Sequence, residues 1–406
     1  MSIEAFRKIQ IGNEVLKSTT GEGNVADPDR LTEVANFTNA KVGDLIRITG
    51  GTGVTAGLYT VAVVVSADAI DLSSVFITAG TPTDIAYTLQ TRGAAVAANK
   101  VLIGSITMTP SISWHRPADE RGSLAEFSRA IKVAQGCALR YEGDASYDQL
   151  IYFLAMALKG GQAPAGPGGD GDYTWTFEPT MIAKVVPDSF TFEYGDDSQV
   201  WESPFVICSN LELSIAMNEV VALRADLFGQ FPTKTSFTSL GANLPTNLHE
   251  IVTAALKVYI NTTWATLGDT EKAALVAGGT IRLATGFKPV KYADGSYDFS
   301  AIVEQRRHLE IDLDLIVGAD AITEYDAWVA GTTRAIRLEF TGPIIAGTTP
   351  YKLTVNAVGK YTSEPTIFGL RDGENLLSLT FSSHEIYEAA AREELSIVVV
   401  NVETAL

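Results

Sequence analysis

Apolar and polar residues alternate through much of this chain. Tyr173, Trp175 and Phe177 are separated by Thr174 and Thr176, and Phe190, Phe192 and Tyr194 repeat the pattern. Leu211, Leu213, Ile215 and Met217 alternate with Glu212, Ser214 and Ala216. Leu309, Ile311, Leu313 and Leu315 alternate with Glu310, Asp312 and Asp314. Successive side chains of a strand point to opposite faces, so each run predicts a strand with one face for a core and one for water. Antiparallel sandwiches carry this signature, and the expected fold class is mainly β. Helical spacing occurs twice. Tyr147, Leu150, Ile151, Leu154 and Leu158 follow Asp144 and Ser146, either of which can cap a helix that Gly160 can end. Ile322, Tyr325 and Trp328 or Val329 share a face of a second helix, which follows Asp320 and closes at Gly331.

The two helices mark an internal repeat. Strands predicted over 104–117 and 130–141 precede the first; 173–178, 189–194, 205–216 and 220–231 follow it. Strands over 280–285 and 298–317 precede the second; 334–341, 351–361, 375–382 and 395–401 follow it. Each half therefore reads as a strand pair, one helix and four strands. The repeat rests on order of elements and not on residue identity, and two unrelated sandwiches is the plainer alternative. Each half also carries a long polar excursion between its first two strands. One spans 116–129 with Asp119, Glu120, Arg121, Glu126 and Arg129; the other spans 286–297 with Lys288, Lys291 and Asp294. Loops of such length in a compact domain are usually functional or disordered.

A further small β-barrel or sheet is expected over 20–90, where Asp27-Pro28, Gly50, Gly51 and Gly53 punctuate short strands. The expected organisation is a first lobe over 1–19 and 91–245, the inserted β domain over 20–90, and a second lobe over 246–406. The Gly- and Pro-rich stretch 160–171 reads as a flexible loop.

Composition narrows the function. The chain has 406 residues, 46% hydrophobic and 19% charged, enough for two or three domains with real cores. Its formal net charge is −18. Gripping DNA by its phosphates depends on Lys and Arg displacing counterions, so an acidic chain is better suited to staying near DNA without sticking. Cys137 and Cys208 lie in apolar strand-like runs and read as buried free thiols of a protein made in a reducing cytoplasm. The first ten residues lack a signal-peptide pattern. The uncharged stretch 48–67 holds Gly50, Gly51, Gly53 and Gly57 among Val and Thr, so it reads as turn and strand and not as a membrane span.

Chemistry-bearing patterns are sparse. The glycines of 160–171 follow a helix and precede a strand, with no Lys after them, so they do not form a phosphate loop. His115, His249, His308 and His384 lack metal-ligand spacing, and neither metal nor cofactor is expected. Glu310, Asp312 and Asp314 share one strand face. Paired carboxylates can serve sugar hydrolysis, but a solvated strand face is the ordinary reading. Arg306-Arg307-His308 is flanked by Glu304 and Glu310 and reads as ion-paired surface or interface. No catalytic residue is singled out.

Several segments carry a resemblance. They are Phe6-Arg7-Lys8-Ile9-Gln10-Ile11-Gly12-Asn13-Glu14, Arg92-Gly93-Ala94-Ala95-Val96-Ala97-Ala98-Asn99-Lys100, Leu139-Arg140-Tyr141-Glu142-Gly143 with the helix after it, Tyr173-Thr174-Trp175-Thr176-Phe177-Glu178-Pro179, and Ile397-Val398-Val399-Val400-Asn401. Together they make the chain resemble the major tail tube proteins of long-tailed phages. The departure is the inserted segment 20–90, expected as an outward decoration.

The resemblance implies a β-sandwich flanked by a helix, with subunits joined sheet edge to sheet edge around a lumen. Glu212, Glu310, Asp312 and Asp314 would then line the channel, and the two polar excursions would stack the rings. The implied partners are further copies of the chain, three with pseudo-sixfold symmetry being favoured over a true hexamer, together with tape-measure, terminator and initiator proteins. DNA would pass without specific binding and no membrane would be involved. The place of action would be the virion tail, after synthesis in the host cytoplasm. Ring closure also removes the open strand edges that endanger a monomer. Two other readings stand beside it: a secreted or surface β-sandwich adhesin, which predicts aromatic loop clusters and a secretion signal, and a carbohydrate-active enzyme using Asp312 or Asp314.

Overall fold

The alternating runs fold as strands, and the ladders that build the barrel and the two large sheets are antiparallel. The computed structural model describes residues 7–42, 44–117, 129–160, 164–179, 185–196, 198–238, 245, 248–272, 275–371, 373–383 and 395–406. In chain order the first strands are β1 (Lys8–Asn13), β2 (Val15–Asn24), β3 (Asp27–Thr32), β4 (Leu45–Gly50), β5 (Gly57–Ser66), β6 (Ala69–Leu72), β7 (Ile85–Gln90), β8 (Lys100–Leu102), β9 (Ser105–His115) and β10 (Ile131–Asp144). Helix α1 (Leu150–Ala157) precedes β11 (Tyr173–Phe177), β12 (Phe190–Gly195), β13 (Val200–Ala216), β14 (Ala222–Gly229), β15 (Thr233–Thr235), β16 (Leu256–Asn261), β17 (Val276–Ala284), β18 (Phe287–Val290), β19 (Ala301–Glu304) and β20 (His308–Ile316). Helix α2 (Ala319–Ala330) precedes β21 (Arg334–Ala346), β22 (Thr349–Tyr361), β23 (Thr366–Arg371), β24 (Glu374–Ser382) and β25 (Leu395–Asn401).

The chain forms two compact units. The first takes Met1–Lys100, Asp188–Val206 and Gln230–Leu240. Within it, β2, β3, β6, β5, β4 and β7 pair in that cycle, and β7 returns to β2, so the barrel is closed. Closure leaves no free margin. Leu31, Phe37, Ile46, Ile70, Ile85 and Leu89 fill its core and are fully buried. Beside the barrel in sequence, β1 pairs with β12, β12 with the start of β13, and that start with β15. Glu14 joins β1 to the barrel. Its buried carboxylate accepts from the Phe205 and Gly93 amides and from the Ser189 and Thr191 hydroxyls at 2.7–3.0 Å. Burial nonetheless holds its pKa above the ordinary value, against those four bonds.

The second unit takes Val101–Pro187, Ile207–Gly229 and Gly241–Leu406. It holds two sheets, which meet where Lys360 and Tyr361 of β22 pair with Ser382 and Phe381 of β24. The larger runs β9-β10-β14-β13-β17-β20-β24-β23, with β13 contributing its second half. The smaller runs β16-β21-β22-β25-β11. Leu139, Leu213, Ile281, Ile311, Leu313 and Leu379 turn inward from the first; Trp175, Phe340, Leu353 and Val399 are buried on the second. Each such side chain contributes about 1.5–3 kcal/mol by leaving water.

The first helix is shorter than its spacing predicts. Asp144 ends β10, and Tyr147 lies ahead of the helix. Ser146 Oγ accepts the Gln149 amide at 3.2 Å, a turn bond just before the first helical residue. All eight residues of α1 are buried, so its apolar surface runs all round and a one-faced pattern misjudges its ends. The strand predicted over 298–317 is two strands, β19 and β20, broken by Gln305-Arg306-Arg307. The excursion 286–297 is not wholly loop, because β18 lies within it and pairs with β19 just beyond it. The Gly/Pro stretch is also more tied than its composition predicts. Ala165 and Thr174 exchange both backbone bonds at 2.9 Å, and the Asp170 carboxylate accepts Thr349 Oγ1 at 2.8 Å.

Candidate functional site

The larger sheet has one apolar and one polar face, because alternation runs through β14, β20 and residues 210–216 of β13. The four acids named as channel-lining, Glu212 on β13 and Glu310, Asp312 and Asp314 on β20, all project from the polar face, opposite the buried Leu213, Ile311 and Leu313. They are not an unopposed negative wall. Strand register brings Glu142, Arg224, Glu212, Arg282 and Glu310 into one row across five strands. Sign alternates along that row, which suits cross-strand neighbours. Arg282 Nε lies 3.3 Å from Glu212 Oε2, and its Nη1 bonds Asp312. Burial works against the Arg282 charge, but Asp312 and then Glu212 outweigh it and hold its pKa above the ordinary value. Asp312 also accepts Thr380 Oγ1 at 2.7 Å, Asp314 accepts Ser378 Oγ at 2.5 Å, and His308 Nε2 lies 3.2 Å from Glu310. The sequence shows these acids by alternation; the arginines that answer them sit on other strands and become neighbours only through register.

The two sheets treat their margins differently. In the smaller sheet β16 is bridged by Glu271 and β11 by Ala165, so both outer strands have a short covering segment. In the larger sheet the outer strands are β9 and β23. Among the described residues no further strand lies in register along β9 over 107–115 or along β23. The β23 margin presents Ile367, Phe368 and Leu370 at 50%, 66% and 76% exposure. Phe368 has φ 57°, at a register shift between Ile367 and Gly369. A bulge is one device by which an edge departs from regular pairing, but here it sets an aromatic ring in solvent. The β9 margin is exposed from Thr109 to His115 and includes Ile112 and Trp114.

Register also places the strand ends that bound the two long excursions at one end of this sheet. His115 pairs with Ile131 there, and Ala284 with His308. Of the residues expected to stack, Asp119, Glu120, Arg121 and Glu126 lie outside the described residues; Arg129, Lys288, Lys291 and Asp294 lie within them. Lys291 Nζ donates to the Gln135 carbonyl at 2.8 Å, and the Gln135 amide donates to the Tyr297 carbonyl at 2.9 Å. Lys288 stands on β18, and Asp294 caps the Ser296 amide at 3.0 Å. The second excursion is thus fastened to β10.

Among the described residues no group of three His, Cys, Asp or Glu is placed to hold a metal ion, and no helix is long and apolar enough to cross a membrane. Cys137 and Cys208 are buried, and burial pushes both thiols up, Cys137 to about 12. No protein-family model matches this chain, and no curated protein matches it.

Proposed function

We propose that this chain is the structural subunit of a phage tail tube, polymerising edge to edge into rings that stack around a bore for DNA. The observation that carries this is the larger sheet: eight antiparallel strands with neither margin paired among the described residues, and apolar side chains exposed on the β23 edge.

Matching pairings support two tandem lobes. The sets β9-β10-β14-β13 and β17-β20-β24-β23 each place the last strand of the set beside the second, with the third outermost. The outer pairings match as well: β1–β12 with β16–β21, β12–β13 with β21–β22, and β13–β15 with β22–β25. Each hairpin leads into its helix. The barrel falls between β1 and β9, where the second lobe has only the short run from β16 to β17. Strand β11 has no counterpart, so the strands after the two helices match with a shift of one from their simple order.

Within the chain the third strand of the first set, β13, bonds the first strand of the second, β17. Repeating that step joins β23 of one copy to β9 of the next. The strand directions agree, because eight alternating strands leave β9 and β23 antiparallel. Two lobes per chain favour three copies per ring. The polar face then becomes the wall of the bore, and its acids outnumber its arginines, which keeps phosphates moving. The second excursion, fastened to β10 at one end of the sheet, suits contact between rings.

Electron microscopy of the concentrated protein tests this reading. Rings or tubes with six repeating lobes around the axis are expected; a monomer at every concentration, with or without a tail initiator, refutes it.

A further inference from the structure

The two helices follow equivalent hairpins but have different surroundings. Every residue of α1 is buried. Strand β10 packs on the helix, with Tyr141 and Phe153 4.6 Å apart between ring centroids, and the second lobe closes over the segment just ahead of it, where Asn401 Nδ2 donates to the Tyr147 carbonyl at 2.9 Å and the Tyr147 and Tyr351 rings lie 5.8 Å apart. Helix α2 runs directly into β21 and has no strand corresponding to β11. It faces inward with Ala321, Glu324 and Ala327. Glu324 anchors that face through Arg334 Nε at 2.8 Å and Tyr361 Oη at 3.0 Å. The apolar residues Trp328, Tyr325, Val329 and Ile322 therefore run up one flank of the helix and out into solvent, Ile322 at 54% and Val329 at 64% exposure. The opposite flank carries Thr323 and Ala330, and Asp326 lies on the outward face beside Ile322 and Val329. The spacing predicts the shared apolar face; what it does not reveal is that an ion pair, and not this face, turns inward.

We infer that the apolar flank of α2, centred on Ile322, Tyr325 and Val329, is an interface that a second copy of this chain covers with its first lobe. The occupant follows from the repeat. The first lobe has its β13 margin and its helix covered by the second lobe of the same chain. On the second lobe the two corresponding surfaces are exposed, the β23 margin at Ile367, Phe368 and Leu370 and the α2 flank at Ile322 and Val329. They also start together, since the Val317 amide, just before α2, donates to the Asn375 carbonyl beside the β23–β24 turn at 2.9 Å. One partner carrying a first lobe answers both. This inference rests on the ring reading and adds a second contact to it, outside the sheet.

The test compares two single-cysteine variants of the full chain, Val329→Cys on the apolar flank and Thr323→Cys on the polar one, labelled with a maleimide in dispersed and assembled protein. The native thiols are buried. Assembly is expected to slow labelling of V329C by about tenfold or more, the scale set by burying one aliphatic side chain, and to leave T323C unchanged. Equal labelling of V329C in both states, with rings present, overturns the inference while the ring reading stands. Failure to assemble at any concentration overturns both. A second variant, Val329→Asp, is expected to raise the concentration for half-assembly by about tenfold with an unchanged melting curve; unaltered assembly counts against the interface.

Discussion

Arg282 stands opposite Glu310 in the strand register, yet its guanidinium bonds Asp312, one row further along β20, and reaches Glu212 on the other side at 3.3 Å. One cation thus ties three central strands across the polar face. Replacing it leaves Glu212, Glu310 and Asp312 facing each other. Because Arg282 is 47% exposed, the cost of Arg282→Leu is expected to be only about 0.5–1 kcal/mol. Urea unfolding at low and high salt checks this: the deficit should shrink as salt screens the acids, and a deficit indifferent to salt would mean that the arginine acts through packing.

The Glu324–Arg334 pair differs because it is dry. Glu324 is 2% exposed and also accepts the Tyr361 hydroxyl. Removing one partner strands the other, so Arg334→Met is expected to lower stability by about 3–5 kcal/mol. The double variant Glu324→Leu/Arg334→Met should recover most of that loss. Denaturant midpoints decide it; a double variant as weak as the single one would show that the charges themselves are required.

Asp44 gives the barrel-bearing unit a pH dependence. Burial lifts its carboxyl from 3.8 to about 6, against the bond from the Lys41 amide. The folded state prefers the protonated form, so this contribution is fully present below 3.8 and is lost as pH rises through about 6. Relative to Asp44→Asn, which keeps an acceptor and never ionises, the wild type should lose up to about 3 kcal/mol between pH 4 and pH 7. Paired unfolding curves across that range test it, and parallel curves for the two proteins would contradict the assignment.

Much of this was legible in the sequence, and the limits are physical. Leu309, Ile311, Leu313 and Leu315 announce β20 because one side of that strand is core and the other is wet. Strand β25 is likewise found at its predicted bounds, Leu395–Asn401. Strand β23 did not announce itself, since Ile367, Phe368 and Leu370 break alternation at the bulge and are exposed. Glu14 reads as an ordinary acid near the start of the chain; its role depends on Phe205, Ser189 and Thr191, remote in sequence and brought together only by folding. The acids of the polar face were readable from period two, but their arginine partners were not, because register is a property of strand pairs and not of single strands.

The edge-to-edge account predicts a particular neighbour. Aligning the two sets of four strands on their paired positions puts Thr366 where Glu212 stands and Thr109 where Arg282 stands, and those two are register partners. In a ring, Thr366 of one copy therefore lies opposite Thr109 of the next. Mild oxidation of the Thr109→Cys/Thr366→Cys chain, read on a non-reducing gel, should give dimers and a closed trimer, whereas each single variant remains uncrosslinked. If the double variant crosslinks no more than the singles in assembled protein, these two margins do not meet and the proposed ring is wrong.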